Sequence, residues 1–594
     1  MKPTDIADPN YFHKVVDCQW ACPAHTPVPE YIRLIAEKRY SDAYMINWHS
    51  NVFPGILGRT CDRPCEPACR RTRVEEEPVA ICRLKRVAAD YKSDIRDRLP
   101  TVPKKKNGKH IALIGAGPAS LTVARDLLPL GYEITLFEKD KLSGGAMRTQ
   151  IPRFRLPVEV LDEELNYILD MGVNCRFGEE ITSMRAILAE GYDAVFVGTG
   201  APLGKWLDLP GHEEASENIH TGIEWLANVA FEHISSVGKK VLVLGGGNTA
   251  MDCCRTSKRI GGEEVSVVVR SGFDEMKASP WEIEDAMNED IPILNFHVPK
   301  RYIVEDGKLV AMEFEKVRKE IDADGRRQLV PTGEEPAILP CDDVLCAIGQ
   351  ENSFPWIERD LGIEFDKWEV PVLNKSTFQS TNEKVFFGGD AALGPDNIIT
   401  AVAHGHDAAV SIHMSCENQD ITKRPSPLTN LSSQKMGIHQ WSYKNDISND
   451  LRYAVPHADK QTTLNDINIE VELGFDEQLA FNETKRCLNC DVQTVFTDKL
   501  CIECDACVDI CPTDCITFTQ NQDETELRKN LLAPAENEEQ DIYVSDILMT
   551  GRIMAKNEDL CLHCGLCAER CPTNAWDMHK YLFNTAKAEN ACQS

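Results

Sequence analysis

Two runs near the end of the chain, CIECDACVDICP (501–512) and CLHCGLCAERCP (561–572), share the spacing C-x2-C-x2-C-x3-C-P. Thiolates so spaced hold four-iron clusters, and the fourth cysteine of each run ligates the cluster of the other. The expected ligand sets are Cys501, Cys504, Cys507 and Cys571 for one cluster and Cys561, Cys564, Cys567 and Cys511 for its partner. Zinc is the competing metal, but paired runs closed by Pro512 and Pro572 are not a zinc pattern. A second group of thiols lies at the start of the chain: Cys18 and Cys22 in DCQWACP, then Cys61, Cys65 and Cys69 in GRTCDRPCEPAC. Five thiols cannot close two four-ligand sites. A further pair, Cys487 and Cys490 in KRCLNCD, stands ahead of two runs that are complete without it.

Glycine turns carry the other chemistry. The stretch HIALIGAGPASLTVARDLLPLGYEITLFEKD (110–140) reads strand, turn, helix, strand. Gly115 permits the tight turn, Gly117 lets backbone approach a pyrophosphate at a helix N-terminus, Ser120 fills the third position, and Glu138 ends the second strand where a ribose 2′-hydroxyl is held. The stretch KKVLVLGGGNTAMDCCRTSKRIGGEEVSVVVR (239–270) repeats the plan with Gly245, Gly247 and Ala250, and Asn248 and Thr249 open its helix. Its second strand ends in Arg270. An acidic residue there selects a free 2′-hydroxyl, whereas arginine pairs with a 2′-phosphate, so the first turn suits FAD and the second NADPH. NADH at the second turn, with Arg270 merely capping a strand in solvent, is the alternative.

These motifs need several bodies to hold them. A chain of 594 residues exceeds one core, and a hydrophobic content of 42% with 27% charge excludes wholesale disorder. The net charge of −30 argues against nucleic acid and anionic membrane surfaces. Lys104, Lys105, Lys106 and Lys109 form only a short solvated linker. No apolar leader opens the chain and no long apolar run follows, so a soluble cytoplasmic protein is expected, whose 24 cysteines serve metal rather than disulfides.

The expected fold class is multidomain α/β. Residues 1–107 form a helical iron–sulfur domain, with one helix opening at Pro78; 108–225 and 340–415 form an FAD-binding Rossmann-like domain; 226–339 form an NAD(P)H-binding one. Residues 416–485 read as an extended linker, and 486–594 as the returning cysteine pair plus an α+β ferredoxin-like domain with a helix-like insertion at VSDILMTGRIMAK.

Six motifs in order, GAGPASL (115–121), GGAMRTQIPRFRLP (144–157), DAVFVGTGA (193–201), GGGNTAMD (245–252), DDVLCAIGQ (342–350) and GGDAALGPDNIITAVAHGHDAA (388–409), resemble the flavoprotein small subunit of bacterial glutamate synthase. The same module occurs in dihydropyrimidine dehydrogenase and in NADPH:ferredoxin oxidoreductases, and the likeness spans about residues 15–415. The resemblance implies that an NADPH domain interrupts the FAD domain. It also implies that Gly145, Arg155, Gly200, Gly349 and Gly389 belong to the cofactor sites, that Asp390 bonds the FAD ribityl chain, and that Asn397, Ile398 and Ile399 lie against the flavin at a helix N-terminus.

In that family the N-terminal domain begins with R-C-x2-C before C-x3-C-P. This chain lacks that pair at the front, and RCLNC (486–490) resembles it, moved to the back. Carried over, one cluster takes Cys18, Cys69, Cys487 and Cys490, and the other takes Cys22, Cys61 and Cys65. Family members complete the second with a Glu or Gln that aligns with Lys85, which is cationic and cannot serve. Cys82, one turn earlier, is the expected fourth ligand, against a backbone or outside ligand. The remaining cysteines, Cys175, Cys253, Cys254, Cys341, Cys346, Cys416, Cys515 and Cys592, read as buried apolar residues without chemistry.

No side chain is expected to act as a catalytic acid or base, because FAD, NADP(H) and four [4Fe-4S] clusters carry the electrons. The expected function is an electron-transfer subunit of an oxidoreductase complex, with a 2-oxoacid:ferredoxin oxidoreductase, or ferredoxin, as partner. The alternatives are a glutamate synthase small subunit, a free-standing NADPH:ferredoxin oxidoreductase and a non-catalytic redox-sensing scaffold.

Overall fold

The computed structural model describes the chain except residues 7, 9–10, 12–15, 322–324, 426–427, 434–446, 536, 539–541 and 593–594. Two five-stranded parallel sheets dominate it. In the first, the strands run Val385–Phe387, Ala194–Val197, His110–Ile114, Glu133–Glu138 and Asn174–Phe177 across the sheet. Its central strand reads buried at Ile111, Ala112, Leu113 and Ile114, as a parallel strand covered on both faces must. The second sheet repeats this order with Ile219–Thr221, Asp343–Cys346, Lys240–Leu244, Glu264–Val268 and Ile293–Leu294. Strands Ile219–Thr221 and Asp343–Cys346 fall outside the span 226–339 expected for this unit, yet they pair into its sheet. A four-stranded antiparallel sheet spanning His297 to Pro340 extends it.

The N-terminal region is helical, with Val28–Ala36, Tyr40–Asn51, Pro54–Thr60 and Ile81–Asp90 as its longer helices. The last begins at Ile81, not Pro78. The Pro78 carbonyl, outside the helix, accepts from Arg486, at 2.8 Å, and from Arg452. Buried apolar residues of these helices, of the first sheet and of the C-terminal unit join in one core, while the second sheet has cores of its own.

Residues 416–485 do more than link. Leu428–Ser433 adds an antiparallel strand to Trp576–Asn584, and helices Lys460–Asn465 and Glu477–Thr484 follow. The stretch expected as helix-like within VSDILMTGRIMAK is instead a hairpin, in which Ile542–Val544 pairs with Arg552–Asn557. Gly551 at φ 84° makes the reversal, and the strand that follows it is buried from Ile553 to Asn557. Among the described residues no helix is long and apolar enough to cross a membrane.

Candidate dinucleotide and iron–sulfur sites

At the first turn Gly115 adopts φ +93°, and a Cβ there would stand 2.6 Å from the Gly198 carbonyl oxygen. Gly245 repeats this against the Ala347 carbonyl, at 2.1 Å and φ +134°. Both turns thus require glycine for conformation and for close approach. The backbone at Gly247 has open space within 4 Å of where a Cβ would sit, and at Gly117 only the Gly198 oxygen comes that near, at 3.8 Å. Each of these glycines caps a helix, Pro118–Leu127 and Asn248–Arg259, so the amides at each N-terminus face a cradle that fits a pyrophosphate. Gly115→Ala is expected to abolish flavin retention, read from the absorbance of the purified protein, while cluster iron stays.

Glu138 is buried at the end of its strand and accepts from the amides of Ala116 at 2.7 Å and Asp140 at 3.0 Å, which fixes the carboxylate at the turn. Ser120 has a packing role: its Oγ lies 2.3 Å from where a Gly198 Cβ would stand, so serine fits because position 198 has no side chain. Gly145 approaches Gly117, and Gly200, Gly349 and Gly389 lie on the loops that follow strands Ala194–Val197, Asp343–Cys346 and Val385–Phe387. Asp390 is held up at about 6, chiefly by burial, and receives the Asp396 amide at 3.2 Å. Asn397 caps the nineteen-residue helix Ile398–Cys416, its side chain accepting from the Thr400 amide. Ile398 opens that helix and Ile399 points into the core.

Arg155 does something other than expected. Its guanidinium pairs with Asp252 at 2.7 Å and Glu282 at 2.5 Å, both on the second dinucleotide unit, so it ties the units together and is committed to carboxylates instead of a cofactor phosphate. Asn248 likewise reaches Asp62 at 3.2 Å and accepts from the Ser279 amide, Thr249 stands half-buried beside it, and Ala250 is buried. Arg270 is exposed, two residues beyond strand Glu264–Val268.

The thiols gather in quartets. Cys18, Cys69, Cys487 and Cys490 line one small apolar cavity, and Cys501, Cys504, Cys507 and Cys571 line another with Phe496, Phe518 and Trp576. Burial, then the charges of Cys69, Cys490 and Cys487, push the Cys18 thiol well up. Cys82 lies between Cys61 and Cys65, whose hydrogen bonds hold it well below the ordinary thiol range. Lys85 is 3% exposed beside them; burial opposes its charge, but Cys82, Cys61, Cys65 and Cys22 outweigh that and raise it. Cys511, Cys561 and Cys564 are electrostatic neighbours, and Cys567 neighbours the last two. Four soft sulfur donors around a cavity suit a four-iron cluster.

Two features escaped the sequence reading. Cys515, 3% exposed and expected to be inert, sits 3.4 Å from the Cys511 sulfur, inside the thiol group. Arg486 is fully buried, and its guanidinium donates to the carbonyls of Asp450, Pro78 and Glu77 and to Glu75 and Glu483. Arg33 adds a bidentate pair with Asp491. These bonds fasten RCLNC to the N-terminal helices. The signal was the arginine preceding the cysteines, whose burial no periodicity announces.

Two parallel sheets with a glycine turn at each, plus thiol quartets at both ends, define a two-dinucleotide oxidoreductase of the flavoprotein type that carries iron–sulfur domains. The chain belongs to the pyridine nucleotide-disulphide oxidoreductase family, whose model matches residues 109–405. Models for dihydropyrimidine dehydrogenase domain II, 4Fe-4S cluster, and for a 4Fe-4S dicluster domain match residues 12–96 and 500–575. The chain is similar to the NADPH-Fe(3+) oxidoreductase subunit beta of Geobacter sulfurreducens, 31% identical over 525 residues that cover 82% of this chain and 77% of that one. It is 34% identical to the NADP(+)-dependent formate dehydrogenase subunit beta of Moorella thermoacetica, over 80% of this chain and 70% of that one. The glutamate synthase [NADPH] small chain of Halomonas elongata is 34% identical, over 66% of this chain and 87% of that one. The chain is a pyridine-nucleotide-dependent oxidoreductase that moves electrons through flavin and 4Fe-4S centres.

Proposed function

We propose that this chain is the NADP-linked electron-transfer subunit of a cytoplasmic oxidoreductase complex, with one FAD and four [4Fe-4S] clusters held by the four thiol quartets. The observation that carries this reading is the quartet at Cys18, Cys69, Cys487 and Cys490, because four sulfurs from both ends of the chain converge on one cavity. Domain limits follow the strands: an FAD unit on the first sheet, interrupted by an NADP unit on the second. The amides beyond Gly117 and Gly247 hold pyrophosphates, Glu138 receives a ribose hydroxyl, and Arg270 pairs with the 2′-phosphate. Flavin, when bound, supplies the exchange between hydride and single-electron transfer. The protein orients the nicotinamide unit through Arg155 and shields the clusters through the apolar walls around Cys18 and Cys507. Arg270→Ser is expected to raise KM for NADPH about tenfold, the loss of one charge-assisted pair, and to leave KM for NADH unchanged.

The partner supplies the substrate half-reaction. A 2-oxoacid:ferredoxin oxidoreductase suits the two-cluster tail, and the formate dehydrogenase beta subunit among the relatives favours formate as the second reading. Purification of the native complex followed by NADP reduction with 2-oxoacids and with formate decides between them. Reduction by formate alone rejects the 2-oxoacid partner, and a chain that purifies alone and reduces free ferredoxin rejects both.

A further inference from the structure

His563 stands between Cys561 and Cys564 in the second C-terminal run, and its Nδ1 lies 3.0 Å from the Cys490 carbonyl oxygen, across the interface with the N-terminal quartet. A carbonyl only accepts, so Nδ1 carries the proton and donates. The opposite bond also exists. Arg70, next to Cys69 of the N-terminal quartet, donates to the Cys561 carbonyl at 2.8 Å and to the Glu558 carbonyl at 2.6 Å. The His563–Cys490 and Arg70–Cys561 bonds thus run from a side chain adjacent to a thiol of one quartet to the carbonyl of a thiol-bearing residue of the other. Both side chains are buried, at 2% and 1% exposure, and a His563 ring nitrogen lies within 4.8 Å of the Cys561 sulfur. Glu558 and Lys556 pair at 2.7 Å beside them, both buried.

Among the described residues the first C-terminal run offers no such bridge. Glu503 occupies the position equivalent to His563, but it binds the Thr550 amide and Arg552 of its own domain. Cys504 and Cys564 both reach the surface, so exposure does not rank the two quartets; their contacts do.

We propose that His563 and Arg70 form the electron junction between the N-terminal quartet Cys18, Cys69, Cys487 and Cys490 and the C-terminal quartet Cys511, Cys561, Cys564 and Cys567, making the latter the inner cluster of the tail and the Cys501, Cys504, Cys507 and Cys571 cluster the terminal one. The inference rests on the cluster assignment above. One electron crosses per event: the donor cluster is oxidised by one, the acceptor reduced by one, and no bond or proton changes hands. NADPH supplies the electrons in pairs, and the partner's acceptor removes them, or the flow reverses. His563 and Arg70 position the two ligand loops and couple them; neither touches substrate.

The test uses the full holo-chain and two reductants. Dithionite, a small reductant, reaches every cluster, whereas electrons from NADPH reach the tail through the junction. In His563→Leu the flavin is expected to bleach with NADPH at the wild-type rate, dithionite to reduce all clusters, and NADPH to reduce the C-terminal clusters about tenfold more slowly by rapid-freeze EPR. His563→Gln, which keeps a donor, recovers most of the rate. If His563→Leu loses iron, Arg70→Lys carries the same expectation, because it keeps the charge but replaces the fork that holds Asp17 through Nε and both carbonyls through Nη1 with one ammonium on a shorter stem. A wild-type transfer rate at full iron content in either variant overturns the junction, and so does iron loss in both. A wild-type chain that binds only a few irons instead overturns the cluster assignment beneath it, so the two failures are distinguishable.

Discussion

Cys487→Ser is expected to lower bound iron by the content of one four-iron cluster, from about sixteen to about twelve atoms per chain on the four-cluster proposal, and to leave the ferredoxin-type pair intact. The reason is geometric. Cys487 lines the cavity with Cys18, Cys69 and Cys490, whereas the tail quartets draw no ligand from residues 486–490. Metal that binds only a folded site is folding free energy, so the variant also loses the tie between the chain's two ends. Arg33, Arg71, Arg486 and the His563 bond to the Cys490 carbonyl then hold RCLNC without the metal, with Arg71 donating to the Arg486 carbonyl at 3.2 Å. Limited proteolysis is expected to cut between 447 and 486 in the variant and to spare the native chain. Retention of all sixteen irons would show that the cavity is not a cluster site.

Lys85→Met is expected to shift the reduction potential of the cluster proposed at Cys22, Cys61, Cys65 and Cys82 downward by on the order of 100 mV. Two unit charges about 5 Å apart at an effective dielectric of about 20 interact by about 3 kcal/mol, and about 59 mV corresponds to each tenfold change for one electron. The sign follows from charge. Reduction adds a negative charge beside the ammonium, so the cation favours the reduced form, and its removal makes reduction harder. Lys85 is buried among these four thiols, which keeps solvent from screening the effect. A potentiometric EPR titration reads it directly; an unchanged potential at full iron content would reduce Lys85 to packing.

Fold class and both glycine turns were legible in the sequence because the constraint is local: Gly115 and Gly245 cannot carry a Cβ where they stand. The C-terminal runs were equally plain, since their spacing is itself the site. Other features depended on distance in the chain. Arg155 sits in a motif that resembles a cofactor site, but its partners Asp252 and Glu282 lie on the neighbouring unit, and only the packed structure shows that they claim it. Ser120 departs from the third position of the glycine pattern because Gly198, 78 residues on, makes the room. The stretch Val544–Lys556 reads as helix because LMTGRIMAK holds good helix formers, yet the pairing of strand Arg552–Asn557 with Ile516–Gln520 and Ile542–Val544 outweighs that propensity. Cys515 looked like any small buried hydrophobe until the chain set it against Cys511.

The closure of the N-terminal quartet by Cys487 and Cys490 also sets an order of manufacture. During synthesis the helices through Asp90 and both dinucleotide sheets are translated before Cys487 and Cys490, half of that set of thiols. The four thiols therefore cannot meet until residue 490 has been translated, and any product terminated before residue 487 leaves synthesis with that cavity open. A cluster seated there would report that translation had passed residue 490.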